Sequence, residues 1–134
     1  MSSRQLINPP GTQGVYDRFH FSQAVRVGDT VWVSGQVGIG PNGRPAEGIE
    51  AQSRLAFQSL RGVLEAAGAS LADVVELVSF HIDLRGEVAG FSKAKDEAFP
   101  TNYPAWTAVG VTQLAVDGLL VEIRAVAVVG SAKS

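Results

Sequence analysis

The sequence predicts an α+β domain whose elements run β-β-α-β-α-β-β. Three observations predict it. A hairpin signal lies near the N-terminus, a helix-periodic segment occupies the middle, and two β-rich runs joined by a glycine-containing turn close the chain. At 134 residues the chain is long enough for one proper core and short for two. No repeat or linker divides it, so residues 1–134 are read as one domain.

Taken in order, "INPPGTQG" is a loop by its proline and glycine content. "FHFSQAVRV", "GD" and "TVWVSGQVG" follow, two β-rich runs around a two-residue turn. With Gly28 and Asp29 as the turn, Val27 faces Thr30, Gln23 faces Ser34 and Phe21 faces Gln36. Alternation then predicts that Phe21, Gln23, Trp32, Ser34 and Gln36 share one mixed face, while Val31, Val33 and Val37 supply core. From Gly48 to Ala67 the period changes. Ala56, Phe57, Leu60, Val63, Leu64 and Ala67 form a helical stripe, with Gly68 as the residue that ends it.

"VVELVSFHIDL", residues 74–84, is apolar on both faces and suits an interior strand. Val88, Phe91, Lys95 and Ala98 fall at helical spacing, predicting a second, weaker helix. Strands over about 105–113 and 119–129 meet through "VDG". Both helices are expected on one face of a mixed sheet, leaving the other face bare. Hydrophobic content of 46% beside 18% charged residues points the same way, to apolar surface hidden in an oligomer.

The net charge is −2, and the eleven Lys and Arg residues are scattered. Nothing resembles the basic stripe that neutralises a phosphate backbone, so nucleic acid is not an expected partner. The absence of cysteine excludes disulfides, thiolate metal sites and a cysteine nucleophile. No apolar run is long enough for a signal peptide or a membrane span, so a cytoplasmic protein with no membrane partner is expected.

"GIGPNG", Gly38 to Gly43, matches the letters of a dinucleotide fingerprint, but Pro41-Asn42-Gly43 makes a turn where a helix must start. It is read as a connecting loop. His20 and His81 stand alone, without ligand spacing, so no metal site is expected. Each is read as a surface or interface residue, His20 with the option of lining a pocket beside Phe21. No G-x-S-x-G supports a serine triad. Glu122 and Arg124 interrupt the last strand on the face shared with Leu120, Val126 and Val128. They are either charges on a solvent-facing strand or a carboxylate placed to hold and deprotonate water; periodicity does not choose. Nor does it say whether Glu122 and Trp106 share a face, since one residue in the connecting turn reverses the answer.

"FSQAVRVGDTVWVSGQVG", "LAFQSLRGVLEAAGASLADVVELVSFHIDL" and "YPAWTAVGVTQL…VEIRAVA" together resemble the reactive-intermediate deaminase family (RidA/YjgF/YER057c) over nearly the whole chain. The resemblance implies a chorismate-mutase-like fold, a homotrimer and small-molecule clefts between neighbouring subunits. It implies hydrolysis of a 2-aminoacrylate-type enamine or imine to a 2-keto acid and ammonia, without metal or organic cofactor. Carried over by position, Glu122 orients the attacking water. Substrate contacts fall on Phe21, Ser34, Gly35, Trp106, Thr107 and Ala108.

Three of these positions depart from the family pattern. Phe21 replaces a tyrosine and loses its hydroxyl, Ala108 replaces a Cys or Thr, and Trp106 replaces the arginine that binds the substrate carboxylate. The last change, within "WTAVGVT", resembles the arginine-lacking YjgH-like branch. An indole offers one neutral donor and an apolar face in place of two charge-assisted bonds. A buried carboxylate left without its paired charge loses about 3–5 kcal/mol, so 2-aminoacrylate is expected to bind poorly and a more apolar or aromatic ligand better. A non-catalytic binding trimer is the second expectation; an endoribonuclease ranks well behind both.

Overall fold

A computed structural model describes residues 3–133 of the chain. Its elements are β1 (Gln5–Ile7), α1 (Gln13–Phe19), β2 (Ala24–Val27), β3 (Thr30–Val37), α2 (Ile49–Ala66), β4 (Val74–His81), α3 (Leu84–Ala98), β5 (Ala105–Gly110) and β6 (Val121–Val128). They build one six-stranded mixed sheet in the order β1-β2-β3-β6-β4-β5. Only β4 and β5 run parallel, with α3 as their crossover; the other neighbours are antiparallel.

The α+β class and the order from β2 onward agree with the sequence reading. β1 and α1 are additions, for "INPPGTQG" contains the start of a helix and the expected first strand is shorter than read. Phe19 ends α1, and His20 adopts a left-handed conformation that stops it. The aromatic letters of "FHF" suggested a strand, whereas the chain there is a helix end and a turn. Phe21 consequently lies ahead of β2 and does not pair with Gln36 as a strand residue.

The hairpin turn itself is where the sequence put it. Val27 pairs with Thr30 and Val25 with Trp32, and the Ser34 amide donates to the Gln23 carbonyl at 2.9 Å. β3 then departs from simple alternation. A register shift against β6 between Val33 and Gln36 inserts a bulge at Ser34-Gly35. Beyond it every side chain changes face, so Gln36 is buried under the helices instead of sharing the Trp32 face.

α2 carries the expected stripe: Ala56, Phe57, Leu60, Val63 and Leu64 are all buried. Gly68, at φ +84°, allows the Ala69 and Gly68 amides to reach back to the Leu64 and Glu65 carbonyls and close the helix. α2 and α3 cover one face of the sheet. The core lies between that face and the helices, from Val31, Val33, Leu77, Ile123 and Ala125 to Leu60, Leu64 and Phe91. The opposite face carries Trp32, Val78, Phe80, Val109, Val126 and Val128. Trp32 is 46% exposed and Val109 37%, so this open face is largely apolar.

Candidate functional site

The sheet presents two groups of residues that the sequence joined into one site. The first surrounds Glu122. On β6, Val121, Ile123, Ala125 and Ala127 face the helices, which sends Glu122, Arg124, Val126 and Val128 to the open face. Arg124 is exposed, whereas Glu122 is half-buried. Its cross-strand neighbours are Val37 and Phe80, and no hydrogen bond or ion pair holds its carboxylate among the described residues. Burial pushes its pKa up from the ordinary carboxylate range.

Gly35 makes this placement possible. A Cβ at that position would stand 2.5 Å from Glu122 Oε2 and 2.7 Å from its Cδ. The carboxylate therefore lies directly over the bulged backbone. Gly35 and Phe21 line a cavity of about 740 Å³ with Val15, Phe19, Ile39 and Leu55. Its walls are mostly apolar, which suits a small organic molecule.

A polar network beneath the bulge fixes it. Gln36 Nε2 donates to Gln23 Oε1 at 2.9 Å and to the Ser34 carbonyl at 3.1 Å, and Ser59 Oγ donates to Gln36 Oε1. Ser34 Oγ donates to the Ser22 carbonyl at 2.7 Å, so its proton is committed to the turn before β2. The hydroxyl retains lone pairs but has no free proton with which to polarise a substrate. At the start of β6, the buried Gln52 bonds the Ala46 and Gly118 carbonyls and the Leu120 amide. That clamp sets where the strand bearing Glu122 begins.

The second group lies on β5, at the free edge of the sheet. Trp106 and Ala108 pair with Leu77 and Ser79 on the helix-covered face, while Thr107 pairs with Val78 on the open face. Trp106 Nε1 donates to Ser79 Oγ at 2.9 Å, and Ser79 Oγ meets His81 Nε2 at 2.8 Å. The indole lies 6.0 Å from the Phe91 ring, and Lys95 Nζ stands 4.6 Å from its centroid. Trp106 is nevertheless 38% exposed, because no strand continues the sheet beyond it.

Within one chain Trp106 and Glu122 are thus on opposite faces, separated by β4. The geometry brings together Glu122, Gly35, Ser34 and Phe21; it sets Trp106, Thr107 and Ala108 apart. His81 also departs from the surface or interface position expected of it. It is 1% exposed, and burial pushes its pKa down. Gln52, Ser79 and Lys95 carry no functional assignment from the sequence, and Gln36, expected on the mixed face, is buried instead. Two signals existed: a serine inside an apolar strand, and a lysine inside the apolar stripe of α3. "GIGPNG" forms a closed loop in which the Gly40 amide donates to the Arg44 carbonyl, and the helix that follows it starts only at Ile49. Among the described residues, no group of three metal-ligating side chains occurs, and no helix is long and apolar enough to cross a membrane.

Fold and site define a chorismate-mutase-like α+β domain with a half-buried carboxylate on its open sheet face. Comparison with known proteins makes the assignment specific. A family model described as endoribonuclease L-PSP matches residues 13–129. The chain is 40% identical over 128 residues to the RutC family protein YjgH of Escherichia coli, covering 95% of this chain and 96% of that one. A solved structure of protein YJGH shares the fold with a TM-score of 0.84 at 39% identity, covering 94% and 96%. A protein of Dermatophagoides farinae named 2-iminobutanoate/2-iminopropanoate deaminase is 34% identical over 111 residues, covering 81% and 85%. The chain belongs to the YjgF/RidA family, within its YjgH-like branch.

Proposed function

We propose that this protein hydrolyses an imine, or the imine tautomer of an enamine, in clefts shared by neighbouring copies of a homotrimer. The observation that carries the reading is the half-buried, unpartnered carboxylate of Glu122 above Gly35, a residue that itself lines a mostly apolar cavity. Such a carboxylate can accept one O–H of a water and orient its oxygen toward an electrophilic carbon. Water adds across the C=N bond and the proton taken by Glu122 is returned to nitrogen, giving a carbinolamine; its hydroxyl proton is then passed to nitrogen as the C–N bond breaks, releasing ammonia and a carbonyl compound. The reaction uses water alone and calls for no metal or organic cofactor. The relative named as a 2-iminobutanoate/2-iminopropanoate deaminase supports this chemistry.

The division of the site supports an assembly that shares it between copies, and three is the number of copies the family resemblance implies. Two half-sites on different surfaces meet only if the Glu122 face of one copy approaches the Trp106 edge of another. Repeated head to tail, such a contact is heterologous, and it forms a closed ring where the rotation between copies closes. The apolar open face gives such a ring an interior. An indole at position 106 makes the pocket poorly adapted to 2-aminoacrylate and better suited to a larger ligand.

The test is ammonia release from a panel of imines, comparing wild type with Glu122→Gln. Turnover that falls sharply in the variant supports the assignment; no turnover on any imine, or equal rates, removes it. A second reading, a trimer that binds ligands without turning them over, is favoured by the committed Ser34 proton and the missing Phe21 hydroxyl. Thermal stabilisation by ligand without turnover identifies it. An endoribonuclease ranks third, since the chain is net acidic.

A further inference from the structure

Lys95 occupies a position where the helical pattern calls for an apolar residue. It follows Phe91 by one turn on the stripe of α3 that faces the sheet, and its side chain is only 17% exposed. The stem is therefore packed, and the ammonium is held 4.6 Å from the indole centroid of Trp106. Its ion pair is with Asp96 at 3.3 Å, the adjacent residue, whose side chain is 70% exposed. A pair of that kind is weak and easily exchanged for another anion.

The indole beneath it is fixed. Ser79 holds the ring nitrogen, Phe91 packs beside the ring, and Ser79 is itself wholly buried and bonded to His81. The free edge of the sheet thus presents a rigid flat aromatic surface with a cation stationed above it.

We infer that Lys95 and Trp106 together form the receptor for a planar, conjugated carboxylate, the ammonium taking the anionic group and the indole the flat body. The inference deepens the deaminase reading by naming the class of ligand, and it amends the expectation that the indole leaves this pocket without a positive charge. The charge is supplied from α3 instead of β5. The ammonium reaches the indole from α3 and stands 4.6 Å from its centroid, so a carboxylate bound to it sits away from the place a guanidinium at position 106 would give it. A three-carbon enamine is too short to use this arrangement well; a larger conjugated 2-imino acid is not.

The experiment is calorimetric titration of the full-length protein with trans-cinnamate, a planar conjugated carboxylate, and with its carboxamide, neither of which contains an imine. Wild type, Lys95→Met and Lys95→Arg are compared. Methionine keeps the packing of the stem and removes the charge; arginine keeps the charge. The expected result is that Lys95→Met weakens the carboxylate by about tenfold and leaves the carboxamide within twofold, roughly the scatter of such titrations, while Lys95→Arg retains the preference for the carboxylate. Equal affinity of wild type for the two compounds, no binding of either, or undiminished carboxylate affinity in Lys95→Met would each overturn the inference. The last result would mean that the lysine only covers the indole. Since the probes are not hydrolysed, absent ammonia release combined with the Lys95 effect would refute the deaminase reading and leave the receptor standing. Glu122-dependent turnover without the Lys95 effect would do the reverse.

Discussion

Replacing Gly35 by alanine separates the function of the β3 bulge from its stability. The added Cβ would lie 2.5 Å from Glu122 Oε2, 2.7 Å from Cδ and 3.1 Å from Cγ. Carbon contacts settle at about 3.5–4.0 Å, so the carboxylate must retreat by about 1 Å. It is the far end of a flexible side chain on an open sheet face, and it retreats at little cost to the fold. Gly35 is not among the residues with positive φ, so alanine meets no backbone penalty there and narrows the unfolded ensemble, an effect of about 0.4–1 kcal/mol in favour of folding. Folding stability should therefore change by less than about 1 kcal/mol. Catalysis should not be spared, because a 1 Å displacement of a positioning group costs on the order of 10²-fold. The assays are urea unfolding and ammonia release from imino acids generated in place by an amino-acid oxidase. Gly38→Ala is the contrasting control, since its Cβ would run into the Gln52 backbone, which cannot step aside, and a loss of about 1–3 kcal/mol is expected. A Gly35→Ala protein with unreduced turnover would refute the proposed position of Glu122. One that fails to fold would refute the claim that only a side chain stands in the way.

Two further outcomes follow from buried polar groups. Ser79→Ala should destabilise by about 1–3 kcal/mol, because Trp106 Nε1 and His81 Nε2 both lose the same hydroxyl and the histidine stays fully buried; chemical unfolding measures it, and an indole N–H resonance that moves toward its solvent-exposed position shows the ring released. Glu122→Gln should stabilise the protein at neutral pH. Burial raises the folded-state pKa of Glu122, so its contribution is greatest below the unfolded value and is lost as pH rises through the folded one. The Tm advantage of the glutamine variant should therefore grow from acid toward neutral pH and then level off; an advantage independent of pH would remove burial of the charge as its cause.

The fold was legible where many residues repeat one signal. The stripe from Ala56 to Leu64 recurs over about two and a half turns, and its positions are buried together; the Gly28-Asp29 turn fixes a register that neighbouring pairs confirm. What escaped was set by single residues. The Ser34-Gly35 bulge is one extra residue in a run that otherwise alternates, and it reversed Gln36 and all that follows in β3. α1 has no buried residue, hence no apolar period to announce it. Glu122 was legible as a candidate but not as a half-buried one, because that depends on Gly35 across the strand. Trp106 was legible as a departure, yet its face was decided by how β5 docks on β4. Lys95 was visible in the stripe of α3, and only the indole opposite gives it a meaning.

Opposite faces for Glu122 and Trp106 make a demand on the assembly that can be checked without a ligand structure. If a working cleft takes its carboxylate from one copy and its indole from the next, two individually inactive chains can repair each other. Glu122→Gln retains an intact Trp106 edge, and Trp106→Ala retains an intact Glu122 face. When the two are unfolded together in equal amounts and refolded into mixed rings, about a quarter of the clefts combine the intact half of each. Turnover should return to about that fraction of wild type, whereas the two variants refolded separately and then mixed should stay inactive. A site completed within one chain predicts no recovery in either case, and the size of the mixed assembly in solution separates a ring from a two-fold dimer, in which residue i of each copy also meets residue j of the other. The demand arises within the single chain, where the bulge at Gly35 and the parallel docking of β5 on β4 leave Glu122 and Trp106 on opposite faces of the sheet.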